Sequence, residues 1–329
     1  MPIVSFIGLV TNLIALFIIF HPKNREIFKE NKRTFQYFAF NSIFSIFDCI
    51  LSSLTLISEC MGVNSFYCSP ILVQAQYLRI YGVAYFSEIM KACSLLTMLT
   101  FSLERYKLAS NSENFILKRI AKIHINFLLT FYFLFASLFS ANKIFELKSD
   151  DISLHKYNIE LPVLLVHFNH NHSDQYWLIP IHWIHYILFS FFISIAIILF
   201  DTLLIKQTKI YLGKKKELFS KILKESNGKN KEAKKQLAEI KKTSKKSKKL
   251  FWYQIITFVL FKLPELIIYS YLASPWFPEI EMASLGLTLV NLAKFLYLFS
   301  YSTNLLFYYK FNTAFKKAFQ NIFQAKKTI

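Results

Sequence analysis

Long apolar runs alternate with short lysine-rich ones along the whole chain, and few folds tolerate that pattern. A net charge of +19 and a hydrophobic content of 54% coexist only if oil and charge are segregated along the sequence. Seven apolar stretches stand out, at roughly 3–20, 35–58, 71–106, 120–143, 177–205, 250–273 and 283–309. Each holds about 18 or more mostly apolar residues, enough as a helix to cross the ~30 Å hydrocarbon core of a bilayer. The pattern predicts an all-α membrane protein: a seven-transmembrane helix bundle over 1–310, then a short amphipathic interfacial helix and tail over 311–329. The third stretch is longer than a crossing needs, which predicts tilt or projection beyond the lipid.

The connecting segments predict orientation. Segments 21–34, 107–122, 206–249 and the tail from Lys310 hold 31 of the 39 basic residues, 17 of them lysines of 206–249. The intervening loops near 59–70, 144–176 and 274–282 hold few. By the positive-inside bias the amino terminus lies outside and the carboxyl terminus in the cytoplasm, in a multi-pass protein of the plasma membrane. The Ile3–Phe20 stretch lacks a basic leader and a small-residue cleavage site, so it is expected to act as its own insertion signal.

Segment 206–249 looks helical on either side of Ser226–Asn230, so the fifth and sixth spans are expected to extend below the membrane. Its lysines attract anionic membrane lipid at about 1 kcal/mol each near the surface. Thr243, Ser244 and Ser247 lie among them as phosphorylation candidates. A topology signal with a solvated linker accounts for the same residues. Nucleic acid is not an expected partner. After the seventh span, Phe311, Phe315, Phe319, Ile322 and Phe323 recur at helical spacing between lysines, as an interfacial helix requires. Asn171-His172-Ser173 is a glycosylation sequon in an outside loop. Cys60 and Cys68 flank a loop and can pair on an oxidising face, whereas Cys49 and Cys93 fall inside apolar runs as core thiols.

Polar groups inside apolar runs carry the chemistry. Arg105, with Glu104 beside it and Tyr106 after, ends the Ser94–Tyr106 stretch. It is either an interfacial anchor or a cation that exchanges the Glu104 carboxylate for another partner. Asp48, Ser94, Ser300 and Asn304, with Asn12, are mid-span polar groups. Converging in one wet pocket they would suit a sodium ion; singly they serve as interhelical hydrogen bonds. A second constellation comprises Ser87, Glu88 and Lys91, with Lys262, Glu265 and Lys294. Residues three apart share a helix face, so Glu88–Lys91 and Lys262–Glu265 are expected to face the bundle. They form either a self-neutralising network or the polar floor of a ligand pocket.

His167, His170, His172, His182 and His185 cluster near the fifth span, and zinc could use His182 and His185, one turn apart. No carboxylate stands at motif spacing beside them. No Gly-rich phosphate loop, nucleophile elbow or paired catalytic acid is present, so the chain is not expected to be an enzyme. A transporter or channel using the buried charges, and a histidine-based membrane metalloenzyme, are the competing classes.

Taken in order, these features resemble the rhodopsin-like G-protein-coupled receptors. Gly8 and Thr11-Asn12 are similar to the first-span pattern of that family. Asp48 matches its second-span acid and Ser94 that acid's third-span partner. Glu104-Arg105-Tyr106 matches the acid-Arg-Tyr motif and Leu263-Pro264 the end of the sixth-span proline motif. Ser300 and Asn304–Tyr308 resemble the seventh-span Asn-Pro-x-x-Tyr region, with Phe315-Lys316-Lys317 opening the interfacial helix. The chain departs from the family at Leu305, which stands where proline is usual, and at Phe261-Lys262 in place of Cys-Trp. It also has no cysteine at Ile80 or in the large outer loop.

The resemblance implies an extracellular ligand, with a lean toward neuropeptides, and coupling to a heterotrimeric G protein. Glu104, Arg105, Tyr106, Asn304 and Tyr308 would be the switch, and Ser87, Glu88, Lys91, Lys262, Glu265 and Lys294 the candidate ligand contacts. No cofactor is implied beyond an allosteric sodium ion at Asp48, Ser94, Ser300 and Asn304.

Overall fold

The computed structural model describes residues 2–29, 32–58, 78–110, 119, 122–141, 144, 147–152, 163–168, 191–226, 230–272 and 283–323. Helices dominate these residues: α1 (Pro2–Phe20), α2 (Arg25–Lys29), α3 (Lys32–Ser58), α4 (Ser87–Ser110), α5 (Ile125–Ser140), α6 (Ile193–Glu225), α7 (Lys231–Thr257), α8 (Leu263–Leu272), α9 (Ala283–Phe311) and α10 (Thr313–Phe323). The exception is an antiparallel ribbon of β1 (Leu147–Ile152) and β2 (Val163–Phe168), with Leu147 opposite Phe168. The ribbon lies within the 144–176 segment expected as an outside loop, where the Val163-Leu-Leu-Val run has the branched composition that strands favour.

Three helical stretches are long and apolar enough to cross a bilayer: Ile3–Phe20, Lys32–Leu54 and Tyr81–Lys107. Ile125–Ser140 is apolar but shorter; its 16 residues rise about 24 Å. The outward faces match a lipid surround. Phe127, Phe131, Leu134 and Leu138 form an exposed stripe along α5, and Ile3, Phe6, Leu13, Phe17 and Phe20 one along α1. Water would penalise contiguous apolar surface of that kind, whereas hydrocarbon does not. The protein is therefore membrane-associated.

Helix boundaries follow local chemistry. His21 precedes Pro22, which disfavours the helical conformation, and its backbone is extended (φ −62°, ψ 127°). The His21 ring accepts from the Lys23 amide at 3.2 Å, and that of His124 from the Asn126 amide at 3.3 Å, at the start of α5. The Asn230 and Asn312 side chains likewise accept from Ala233 at 3.0 Å and Phe315 at 2.9 Å, capping α7 and α10. Between α7 and α8 the backbone widens over Phe258–Lys262, where the Leu263 amide donates to the Phe258 carbonyl. That five-residue step lies just before Pro264, which has no amide hydrogen to continue the ordinary ladder.

Packing gathers these helices around α4, which meets α3, α5 and α6. Helix α1 lies between α3 and α9. Gly8 makes that approach possible, because a Cβ there would stand 2.8 Å from Cys49 Sγ. Helices α6 and α7 continue as a long pair joined through Ser226–Asn230, as the lysine-rich segment predicts, with Ala233 and Ile240 buried. α10 buries Phe315 and Ala318, and the Phe315 ring sits 5.7 Å from that of Tyr308.

Candidate functional site

A polar stripe runs the length of α4. Ser87, Lys91, Ser94, Thr97, Thr100 and Glu104 recur every three or four residues, a polar band that winds about half-way round the helix from one end to the other. From Ser87 to Glu104 the stripe rises about 25 Å. Each group on it meets a partner within α4 itself or on another helix.

At the Ser87 end, the Ser87 hydroxyl donates to Asp48 Oδ1, and Asp48 is fully buried. The other carboxyl oxygen of Asp48 and the hydroxyl of Tyr301 are buried side by side without a hydrogen bond of ordinary geometry. One turn along α4, Lys91 Nζ lies 3.2 Å from Glu88 Oε1 and 2.9 Å from Glu265 Oε1. The same ammonium sits 4.8 Å from the ring centre of Tyr297, and Lys262 approaches that ring at 5.9 Å. Four of the six candidate ligand contacts, Glu88, Lys91, Lys262 and Glu265, therefore gather near Tyr297. Lys294 lies part-buried on α9 and Ser87 is held by Asp48.

In the middle of the stripe, Ser94 donates to Asn41 Oδ1 at 2.6 Å, and Asn41 Nδ2 donates to the Tyr308 hydroxyl at 3.0 Å. Asn304 Nδ2 reaches Asn12 Oδ1 at 3.5 Å and Ser45 Oγ at 3.4 Å. Asn12 itself donates to Gly8 O at 2.8 Å and Tyr301 O at 3.2 Å, tying α1 to α9. Ser94 and Asn304 are thus engaged one to two turns along α3 from Asp48, while Ser300 is buried on α9. In this packing Asp48, Ser94 and Asn304, three of the four residues expected to ligate sodium, each make an interhelical hydrogen bond. Among the described residues no group of three or more His, Cys, Asp or Glu could hold a metal. Tyr308 also stacks on Phe38, with ring centres 4.1 Å apart.

The Arg105 end differs from expectation. Glu104 does not neutralise Arg105. Its carboxylate takes Arg33 at 2.6 Å and the Tyr37 hydroxyl at 2.7 Å, both from α3. Arg33 Nε also donates to the Tyr37 hydroxyl at 3.2 Å. Consecutive residues on a helix point about 100° apart, so Glu104 and Arg105 cannot face one another. Arg105 instead lies over Phe101, 5.2 Å from its ring centre, in the field of the Asp201 carboxylate on α6. Tyr106 packs beside Phe200, ring centres 6.0 Å apart, at the same contact.

Several partners were not singled out in the sequence. Arg33 and Tyr37 stand four apart, which places them on one face, but Arg33 reads simply as a loop charge. Asp201 is an acid within an apolar run and could have been flagged by the rule that flags Asp48. Asn41, Ser45 and Tyr297 carry no such signal. Cys60, Cys68, Asn171, His170, His172, His182 and His185 lie outside the described residues. For His167 the backbone alone is placed, opposite Lys148 in the ribbon. The chain matches no family model and no curated protein.

Proposed function

We propose that the chain is a signalling receptor of the rhodopsin-like G-protein-coupled kind. It crosses the plasma membrane seven times with its amino terminus outside. An extracellular ligand, with peptides the leading class, enters at the Ser87 end of the bundle and acts on Glu88, Lys91, Glu265 and Lys294. A heterotrimeric G protein docks at the Arg105 end, and the lysines of 206–249 lie against anionic lipid. The supporting observation is the polar band of α4, which runs from the charged cluster around Tyr297 to the Arg33–Glu104–Tyr37 contact and to Arg105, in the field of Asp201. A ligand that displaces Lys91 from Glu265 changes the packing of α4 against α8, and the same rigid helix carries Arg105. Because Glu104 is paired with Arg33, the carboxylate whose field Arg105 would leave on activation is that of Asp201.

The test is agonist-dependent nucleotide exchange on purified G proteins by the chain in lipid nanodiscs, using ligands found in a second-messenger screen. Arg105→Leu should abolish exchange with agonist binding retained; unaltered exchange would sink the proposal. The charged cluster at membrane depth also suits a transporter. Ligand-independent ion flux in vesicles with no exchange on any G protein would favour that class.

A further inference from the structure

Lys262 differs from the other ions of the cluster. Lys91 has two carboxylates within ion-pair distance, at 3.2 and 2.9 Å. Lys262 has none: among the described residues its ammonium makes no hydrogen bond and no ion pair. It ends over the Tyr297 ring at 5.9 Å, in the field of Glu265, whose Oε1 is already held by Lys91. An ammonium in a helix bundle needs acceptors for its three hydrogens, and a ring face satisfies only part of that need. Lys262 also sits at the last position of the widened Phe258–Lys262 segment, where the backbone leaves the regular ladder. The chain therefore holds a cation beside a buried aromatic ring, while Lys91 takes the ion-pair contact of the one carboxylate whose field reaches it.

We infer that Lys262 is the docking point for a carboxylate on the molecule that occupies this bundle, with the Tyr297 ring as the wall beside it. A single ammonium matches a single negative charge. The Glu265 carboxylate beside it would repel a dianion such as a phosphate monoester more strongly than a single carboxylate. An ammonium-bearing group would in turn be repelled by Lys262 and by Lys91. The site takes its ligand's route from the receptor proposal, but binding at Lys262 needs no G protein.

Thermal unfolding of the full chain in nanodiscs tests it, with octanoate as the probe and octanol, octylammonium and octyl phosphate as matched controls. Octanoate should raise the melting temperature saturably, and the controls should not match it. Lys262→Arg should keep the response, and Lys262→Met should require at least roughly tenfold more octanoate for the same shift. An equal shift with octanol, an unchanged response in Lys262→Met, or no shift with octanoate overturns the assignment. Should Lys262→Met not purify, the wild-type comparison of octanoate with octanol decides alone. Octanoate binding without nucleotide exchange would leave the Lys262 site standing while removing the receptor proposal; exchange without octanoate binding would do the reverse.

Discussion

Replacing Lys91 with methionine isolates the ion-pair network that joins α4 to α8. The substitution keeps the length of the side chain and removes one charge. It strands Glu88 and Glu265, whose side chains are 20% and 12% exposed against 14% for Lys91, so solvent screens them little. Removing one partner of a buried pair costs about 3–5 kcal/mol, because the remaining charge is left without compensation. Here two carboxylates lose the same ammonium, but Lys262 stands beside Glu265 and recovers part of that loss, so a value of about 3–5 kcal/mol holds for the pair together. Equilibrium unfolding of the full chain in mixed micelles measures it. The control is Lys91→Met combined with Glu88→Gln and Glu265→Gln, which removes the stranded charges and should recover most of the stability. A single variant within about 1 kcal/mol of wild type, or a triple variant no better than the single, would refute the claim that this network closes on Lys91.

Gly8→Val should destabilise the α1–α3 contact by about 1–3 kcal/mol through overpacking, since its Cβ meets Cys49 Sγ at 2.8 Å. Cys49→Ala in the same chain should relieve much of that in an unfolding titration. Tyr37→Phe deletes the hydroxyl shared by Glu104 and Arg33 and should cost about 1–3 kcal/mol in the same measurement. Asn312→Ala removes the cap of α10 and should cost about 1 kcal/mol. It would show as faster amide hydrogen exchange at Phe315 with no change in the exchange of α4.

Much of the architecture was legible in the residues because the signals were local. Apolar run length marked α1, α3 and α4, and the aromatic stripe of 315–323 marked α10. The helical tendency on either side of Ser226–Asn230 marked the α6–α7 pair. Spacing of three residues placed Glu88 with Lys91, and Lys262 with Glu265, on shared faces. The ribbon over 147–152 and 163–168 was missed, since a short apolar run inside a polar loop carries little periodicity.

What tertiary structure alone decided was the choice of partner. Neighbours in sequence suggested that Glu104 answers Arg105, but helix geometry turns them apart. Packing then gives Glu104 to Arg33 and Tyr37 on α3, and sets Arg105 opposite Asp201 on α6. The same holds for Ser94, whose hydroxyl goes to Asn41, and for Asp48, which receives Ser87 instead. The physical reason is common to all three. Composition and period state which groups must be buried, and a buried polar group must find a partner, but the rotation and depth of each helix against its neighbours select which partner it finds.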